Sequence, residues 1–294
     1  MLDLRHLRLE DKAIIDKYIP TCCRQMCDFT FGNLYSWSTA EHTEIAEKNG
    51  FLFLRSTFNG VTSYTFPWGE GDINSALAEI VADAEERSAD LSFFCIAEEQ
   101  IPYLKAFFGE RLVYREQRDY FDYIYQAEKL ATLSGRKLHS KKNHVNSFIK
   151  RNNYTFEVIS EANLKDCLAF THKWFSEAQG TQRLEAERQV IACAFKNYSA
   201  LGFFGGVLKV EGKVVAYCLG EPMRHSETFC VHFEKADNAI PTAYAAVNKL
   251  FAEILAKKYR YINREDDAGV EGLRKAKTSY QPETLIKKYY AKVI

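Results

Sequence analysis

The 294-residue chain has no long apolar run, and its first residues have no apolar core. A helix that spans a bilayer needs about 20 mostly apolar residues, so we expect no transmembrane segment. Asp3, Arg5 and Arg8 interrupt the N-terminal segment, which is unlike a secretory signal peptide. The sequence therefore predicts a cytoplasmic protein.

The chain also has no formal net charge and no flexible linker. The chain has 39 basic and 39 acidic residues, which argues against a protein that coats nucleic acid through overall positive charge. Only 6 residues are proline, and no Gly/Ser-rich or other low-complexity segment is present. With this length and 47% hydrophobic residues, the chain can form two packed domains of ordinary size.

Several catalytic signatures do not occur. The chain has no G-x-S-x-G, G-x-G-x-x-G or phosphate-loop pattern, which disfavours hydrolase, dinucleotide-binding and nucleotide triphosphatase functions. Most of the eight cysteines lie in apolar runs, so we expect buried free thiols. Cys22, Cys23 and Cys27 have no second spaced pair of Cys or His ligands, and the sequence therefore predicts no metal site. Cys–His catalysis stays open, although no local motif favours it.

The second half of the chain has a clear order of predicted elements. Helical spacing of apolar residues occurs at 162–178, 185–198, 243–258 and 272–279. Strand patterns occur at 154–159, 203–210, 213–220, 228–234, 259–263 and 285–294. Glu211 and Gly212 predict a hairpin turn. This order resembles the GNAT superfamily of N-acetyltransferases, whose splayed, mostly antiparallel sheet holds an acyl donor.

The first half repeats a hairpin–helix–strand–helix–strand order in weaker form. Asn59-Gly60 is its strongest hairpin signal. Further strands and helices are predicted at 51–55, 61–66, 73–87, 91–96, 101–108 and 120–125. We therefore predict an α/β (α+β) protein of two tandem GNAT-like domains with mixed, mostly antiparallel sheets. The degenerate domain is expected at 1–130 and the domain with the active cleft at 131–294. Two unrelated α/β domains are the alternative.

A basic segment lies between the two halves. Residues 129–156 contain no acid, and apolar spacing over 138–149 predicts a helix with Lys141 and Lys142 outside its apolar stripe. Together with Arg151, these lysines could bind a phosphate of a nucleotide, tRNA or lipid headgroup. A solvated helix face is the alternative interpretation.

A glycine-poor turn follows the third strand of the second half. Acetyl-CoA enzymes of the GNAT fold bind the pyrophosphate with bare backbone amides of a Gly-containing turn at this point. Residues 234–244 contain no glycine here, whereas they include Pro241, which has no N–H, and the acids Glu234 and Asp237. The sequence therefore predicts that a standard coenzyme A site is absent.

A charged tail follows the strand that ends near Asn263. Arg264, Asp266, Arg274 and Lys277 all fall in this tail, next to a predicted short helix. Charged residues at the carboxyl end of a strand are typical of a site for a charged ligand. The pattern predicts where the site lies but does not name its reaction.

A family resemblance covers essentially the whole chain. It rests on Arg264-Glu-Asp-Asp267, Leu273-Arg-Lys-Ala-Lys277, Tyr280-x-Pro282, Lys288-Tyr289, Phe204-Gly-Gly-Val-Leu208, Phe233-Glu-Lys-Ala-Asp237 and Leu138-His-x-Lys-Lys-x-His144. These segments resemble the family of the C-terminal domain of phosphatidylglycerol lysyltransferase. Relatives of that family, including the Fem-type aminoacyltransferases, take an aminoacyl group from a charged tRNA. The resemblance thus implies aminoacyl-tRNA as donor and no bound cofactor. The lipid-modifying members also carry a large membrane-spanning region, which we do not find in this chain, so the acceptor stays open between a small molecule, a peptide and a lipid headgroup.

Three residues are candidates for the chemistry of transfer. Glu234 resembles an acidic position of that family and could accept a proton or bind an ammonium group. Lys277 could hold the ester or a phosphate, and Asp266 is the third candidate. Each has a structural alternative, namely an ion pair with a neighbour or a solvated charge. Candidate substrate-binding residues are Lys141, Lys142, Arg151, Asn263, Arg264, Arg274 and Tyr244.

The leading function is therefore aminoacyl or acyl transfer to an amine or hydroxyl. A coenzyme A-dependent N-acetyltransferase that uses acetyl-CoA is a second possibility. A binding protein that retains the cleft without catalysis is a third. The sequence leaves open the amino acid, the acceptor and the oligomeric state.

Overall fold

The computed structural model describes residues 2–178 and 182–294. The helices over these residues are α1 Lys12–Tyr18, α2 Phe31–Glu41, α3 Ile73–Glu86, α4 Ile101–Phe108, α5 Ala127–Thr132, α6 His139–Arg151, α7 Glu161–Glu177, α8 Gln182–Lys196, α9 Tyr198–Leu201, α10 Ala243–Leu255 and α11 Glu271–Thr278. The strands are β1 Arg5–His6, β2 Glu44–Lys48, β3 Phe51–Phe58, β4 Val61–Tyr64, β5 Trp68–Gly69, β6 Ser92–Ile96, β7 Leu112–Glu116, β8 Asp122–Gln126, β9 Tyr154–Val158, β10 Phe204–Val210, β11 Lys213–Pro222, β12 Thr228–Ala236, β13 Tyr261–Asn263, β14 Thr284–Ile286 and β15 Tyr289–Val293.

The chain divides into two compact units. The first consists of Met1–Phe121 and Ile286–Ile294, and the second of Asp122–Leu285. These limits differ from the predicted domains 1–130 and 131–294 at both ends. Strand β8 belongs to the second unit because it pairs with β13, and β15 belongs to the first because it pairs with β6 and β7. The expected single strand at 285–294 is thus two strands, which lie in different sheets.

The first unit contains a mixed, mostly antiparallel sheet in the order β1-β2-β3-β4-β6-β15-β7, with β5 beside β3. The predicted hairpin at Asn59-Gly60 joins β3 to β4, and both turn residues have positive φ, as this tight turn requires. Among the described strands of this first sheet, β4 and β6 form the one parallel pair. The helix α3 buries Leu77 and Ile80 in the core of this unit.

The second unit contains a sheet in the order β14-β8-β13-β12-β11-β10-β9. The predicted Glu211-Gly212 turn joins β10 to β11. One side of the sheet is covered by α10, α5 and α6, where Phe251 of α10 packs against Phe229 at a ring separation of 5.7 Å. Fully burying an aromatic side chain of this size contributes about 2–3 kcal/mol. This packing fixes the helix over the strands that carry the candidate site.

Two irregularities of β12 shape that site. Its parallel pairing with β13 extends only from Thr228 to Cys230, because β13 ends at Asn263, and β12 continues without this neighbour to Ala236. On its other edge, Leu219 pairs with Phe233 and Gly220 pairs with Val231, which leaves His232 as the extra residue of a β-bulge. A Cβ on Gly220 would lie 1.7 Å from the carbonyl oxygen of Cys230, so the bulge requires glycine there.

Candidate functional site

An ion pair between Glu234 and Arg264 forms the centre of the candidate site. Glu234 lies on β12 beyond its pairing with β13, and Arg264 directly follows β13. The Nη2 atom of Arg264 is 2.9 Å from Oε1 of Glu234, and the side chains are 12% and 14% exposed. The side-chain oxygen of Asn248 on α10 accepts from Nε of Arg264 at 3.1 Å and from its Nη1 at 3.3 Å. Residues from β12, from the segment after β13 and from α10 thus meet at a charged pair that is still partly accessible to solvent.

Aromatic rings surround the arginine of this pair. The Arg264 guanidinium lies 5.1 Å from the ring centre of Tyr280 and 5.9 Å from that of Tyr125. Burial lowers the pKa of Arg264, but the charge of Glu234 and the nearby Tyr125 and Tyr280 together outweigh it and leave the pKa above its usual value. Such contacts between a cation and aromatic faces contribute roughly 0.5–2 kcal/mol. The guanidinium is therefore held in one orientation as a permanent positive charge.

One of the predicted basic residues reaches this centre. Lys141 of α6 places its ammonium 4.6 Å from the Tyr280 ring. Burial and the positive charge of Arg264 lower the pKa of Lys141. The structure therefore brings together three residues that lie far apart in the sequence, Lys141, Glu234 and Arg264.

The other two basic candidates lie elsewhere on the surface. Lys142 and Arg151 are exposed on α6. In the described part of the chain, neither side chain makes a hydrogen bond or ion pair with Glu234 or Arg264. Their role in binding an anion stays a prediction.

The loop after β13 is fixed by Asp267. Its side chain is fully buried and accepts from Arg274 at 2.7 and 3.0 Å, from Tyr123 at 2.6 Å and from the Gly269 amide at 3.0 Å. Burial raises the pKa of Asp267, but these donors outweigh it and hold the pKa at about 2. Arg274, a predicted substrate contact, therefore anchors this loop.

Lys277 also acts on this loop. Its ammonium donates to the backbone carbonyls of Arg264 and Asp266 and is almost fully buried. Burial lowers the pKa of Lys277, and the charge of Arg264 adds to that effect. The predicted catalytic residue Asp266 accepts from the Ala268 amide at 2.9 Å. Lys277 and Asp266 thus shape the turn that positions Arg264, and direct contact of either with a substrate stays a prediction.

Asn263 has a comparable position. Its side chain is buried at the end of β13, donates to Asp122 of β8 at 3.1 Å and accepts from the Glu265 amide at 2.6 Å. The residue therefore sets the direction in which the chain leaves β13.

Backbone amides at the start of α10 are occupied by the chain itself. The amides of Asp237, Ile240 and Ala243 donate to the carbonyls of Val215, Asp237 and Ile240, and the Ala239 amide donates to the Asp237 carboxylate at 2.8 Å. A pyrophosphate cradle needs such amides to be free. The glycine-free turn therefore provides no cradle through these four amides.

Tyr244 lies in the first turn of α10. Burial raises the pKa of its hydroxyl, and the charge of Glu234 acts in the same direction. The hydroxyl is thus within electrostatic range of the Glu234–Arg264 pair.

Lys235, the nearest alternative partner for Glu234 in the sequence, instead pairs with Glu187 at 2.8 Å.

A second charged cluster was missed by sequence reasoning. His232, the bulge residue, has its Nδ1 atom 2.7 Å from Oε1 of Glu265 and its Nε2 atom 3.1 Å from Oε1 of Glu221. The Cys230 sulfur is 3.6 Å from Nδ1. The Cys-x-His pattern on one strand was the available signal, but a regular strand gives no indication of the bulge or of the Glu265 contact.

A family model matches residues 22–292 of the chain, and its description is the C-terminal region of phosphatidylglycerol lysyltransferase. Among curated proteins, an uncharacterized protein MYCGA3080 of Mycoplasmoides gallisepticum (strain R(low / passage 15 / clone 2)) is 25% identical over 181 residues, which cover 59% of this chain. The match spans 56%, about half, of that relative's length.

Solved structures agree with the fold. A conserved protein of unknown function from Bacteroides thetaiotaomicron VPI-5482 is 36% identical over 100% of both chains, with a TM-score of 0.92. L-PGS from Bacillus licheniformis is 16% identical over 88% of this chain and 90% of its own, with a TM-score of 0.63. A tandem GNAT protein from the clavulanic acid biosynthesis pathway is 7% identical over 99% and 98%, with a TM-score of 0.52. The predicted tandem GNAT-like fold is thereby confirmed. Among the described residues, no helix is both long and apolar enough to cross a membrane.

Proposed function

Since the chain belongs to the family of the phosphatidylglycerol lysyltransferase C-terminal region, we propose that it is an acyltransferase that moves an aminoacyl group from aminoacyl-tRNA to an amine or hydroxyl. The family's name describes transfer of a lysyl group to phosphatidylglycerol. The observation that carries the proposal is the Glu234–Arg264 pair, which lies where β12 extends past the end of β13. In this fold the acyl donor is held between separated strands.

The chemistry requires few groups because the ester of a charged tRNA is already activated. The acceptor nitrogen or oxygen attacks the ester carbonyl carbon, a new C–N or C–O bond forms, and the bond to the tRNA ribose oxygen breaks. Glu234 takes the proton released by the acceptor, and the ribose oxygen leaves as a hydroxyl after protonation. Arg264 stabilises the negative charge that develops on the carbonyl oxygen.

Two observations support tRNA over coenzyme A as the donor. Four amides before and at the start of α10 already bind the chain, so they are not available to a pyrophosphate. In addition, Lys141 brings a cation from the acid-free basic segment to the Arg264 site. Lys142 and Arg151 are exposed on the same helix and would extend this positive surface along a tRNA phosphate backbone.

The test is transfer from a pool of tRNAs charged with radiolabelled amino acids. Phosphatidylglycerol vesicles and a soluble diamine serve as two separate acceptors. We expect enzyme-dependent movement of label from tRNA to one of them. Glu234→Gln should slow transfer at least about a hundredfold while charged tRNA still binds. Glu227→Gln, at an exposed carboxylate just before β12, is the matched control and should leave the rate unchanged.

Acetyl-CoA provides the opposing measurement. A donor present at about 100 times its dissociation constant stabilises the folded protein by roughly 2.7 kcal/mol, which a thermal shift detects. Stabilisation by acetyl-CoA without binding of charged tRNA would overturn the proposal in favour of a coenzyme A enzyme. Binding of charged tRNA with no transfer to either acceptor, and an unchanged cellular phenotype for Glu234→Gln, would instead indicate a protein that only binds.

A further inference from the structure

The cluster around the β-bulge has the composition of a metal site. The ligand atoms of Cys230, His232 and Glu265 all lie within 4.8 Å of one another. Cys230 and the His232 side chain are fully buried, and the Glu265 side chain is 21% exposed. A thiolate, an imidazole and a carboxylate are ligands that bind Zn²⁺ well together. The cluster lies wholly in the second unit and does not involve Glu234 or Arg264.

The distances suit a tetrahedral ion after a small adjustment. Ligand atoms about 2.0–2.3 Å from a tetrahedral zinc lie roughly 3.3–3.7 Å from one another. The 3.6 Å separation of the Cys230 sulfur and His232 Nδ1 is within that range. The 2.7 Å separation of Nδ1 and Glu265 Oε1 is a hydrogen bond, which would have to open by roughly half an ångström. A rotation of the Glu265 side chain is enough for this change.

Glu221 occupies the position of an outer carboxylate. Its Oε1 atom is 3.1 Å from His232 Nε2, the ring nitrogen opposite the one that faces Cys230 and Glu265. Metal-bound histidines almost always donate their second nitrogen to a carboxylate or carbonyl, which fixes the tautomer and the ring orientation. With Nε2–H donated to Glu221, the imidazole would bind the ion through Nδ1 after the proton on Nδ1 is displaced.

Backbone strain at Glu265 is an independent observation. Its φ angle is +55°, in the left-handed region that glutamate rarely adopts. Its amide donates to Asn263 Oδ1 at 2.6 Å and its carbonyl accepts from the Tyr123 amide at 3.1 Å. Strain of about 1–3 kcal/mol persists only where the surroundings impose it, and such residues concentrate at ligand sites. Here the imposed conformation directs the Glu265 carboxylate towards His232.

We propose that Cys230, His232 and Glu265 bind a divalent zinc-class ion, with Glu221 as the positioning residue of His232 and a fourth coordination position open. The ion links the bulge of β12 to the loop after β13, from which Arg264 projects. It replaces the Nδ1 proton of His232 and the thiol proton of Cys230, and both protons are released to solvent. This proposal differs from the sequence-based expectation of no metal site and is independent of the proposed function.

Zinc content and cobalt spectroscopy on the full chain test it. We expect about one Zn²⁺ per chain after dialysis against zinc under reducing conditions. Co²⁺ in place of zinc should give a thiolate-to-cobalt absorption band. Cys230→Ser should remove the band and weaken binding more than about a hundredfold, and Glu221→Gln should weaken it roughly 10–100-fold. Cys193→Ser, at a partly exposed thiol of α8, is the matched control and should change neither value.

Folding of each variant is checked by circular dichroism, and Glu221→Gln keeps the test valid if Cys230→Ser does not fold. Wild-type protein with no stoichiometric zinc and no cobalt band would overturn the proposal. A band that persists in Cys230→Ser would do so as well, because the thiolate would then belong to another cysteine. Undiminished affinity in Glu221→Gln would remove the assigned positioning role.

Discussion

Each unit contains a buried arginine–carboxylate pair, but the two pairs differ in what surrounds them. In the first unit, Arg55 binds Asp83 at 2.7 Å, and the side chains are 4% and 1% exposed. Glu44 also binds Arg55, and the Tyr64 hydroxyl donates to Asp83 at 2.6 Å. In the second unit, the side chains of the Glu234–Arg264 pair are more exposed, and among the described residues no second carboxylate forms an ion pair with Arg264.

The strands next to these pairs show why the surroundings differ. Strand β4 ends at Tyr64, and the buried Phe66 and Trp68 follow it, so aromatic side chains fill this part of the first unit. Strand β12 instead continues past its pairing with β13 and carries Glu234 there. The same order of elements thus supports a closed ion pair in one unit and an accessible one in the other. Full burial of an ion pair is suited to stabilising the fold, whereas an ion pair that solvent can reach can also bind a substrate.

The largest expected change in stability comes from opening the closed pair. Asp83→Asn leaves Arg55 without its fully buried counter-charge, which should cost about 3–5 kcal/mol of the free energy of unfolding. Urea denaturation measures it. Asp90→Asn, in an exposed pair with Lys292, should cost less than about 1 kcal/mol. Equal costs for the two variants would mean that the closed pair contributes no more than a surface pair.

Substitution in the accessible Glu234–Arg264 pair should have a large effect on transfer and a small effect on stability. Glu234→Gln should reduce aminoacyl transfer at least about a hundredfold. It should cost only about 1–2 kcal/mol of stability, because the Tyr125 and Tyr280 rings still contact Arg264 and water still reaches it. Parallel rate and denaturation measurements separate the two effects. A stability loss as large as that of Asp83→Asn, with transfer retained, would reverse the comparison.

Protonation of Asp11 should lower the free energy of unfolding of the first unit at acidic pH. Burial raises the pKa of Asp11, but hydrogen bonds from the Arg5 side chain and the Arg8 amide outweigh it and leave the pKa lowered. A lowered folded-state pKa gives stability that is present above the unfolded-state value of about 3.9 and is lost as pH falls through the folded-state value. Asp11→Asn should therefore cost about 1 kcal/mol at neutral pH and progressively less below about pH 4. A difference that grows in acid contradicts this sign.

The smallest effect on stability is expected on the exposed face of α6. The double variant Lys142→Ala, Arg151→Ala should change the free energy of unfolding by less than about 0.5 kcal/mol. It should nevertheless reduce the slope of log affinity for charged tRNA against log salt by up to about 2, since each phosphate contact contributes roughly 0.7–0.9. Filter binding at several salt concentrations measures the slope. An unchanged slope would remove these residues from the proposed anion site, and Lys141→Ala would then test the remaining cation.

The sequence predicted the helices and strands of both units better than it predicted which strands pair with each other. Both hairpins lie at the predicted turns, Asn59-Gly60 and Glu211-Gly212. A tight turn depends on the conformations of only a few consecutive residues, so the local sequence is enough to predict it. The helix predicted at 272–279 is Glu271–Thr278. The destination of β15 was missed, since strand periodicity does not specify which distant strand a segment pairs with.

The candidate site was only partly predicted, because part of it also depends on contacts between residues far apart in the sequence. Glu234 and Arg264 were recognised by residue type and by their positions near strand ends, and they do meet. The ammonium of Lys277 binds backbone carbonyls of the loop after β13, a role that the sequence did not indicate, and its contact with a substrate stays a prediction. His232 was not recognised, because a bulge depends on the register between two strands.

Local spacing of apolar residues and turn residues by itself determined the order of helices and strands, and with it the GNAT-like plan of both units. Only the tertiary structure decided that β8 and β15 join sheets other than those expected, and that His232 meets Glu221 and Glu265. Periodicity reports interactions between near neighbours in the chain. Strand exchange, the β12 bulge and the strained backbone at Glu265 depend on contacts between residues far apart in sequence, which no local pattern encodes.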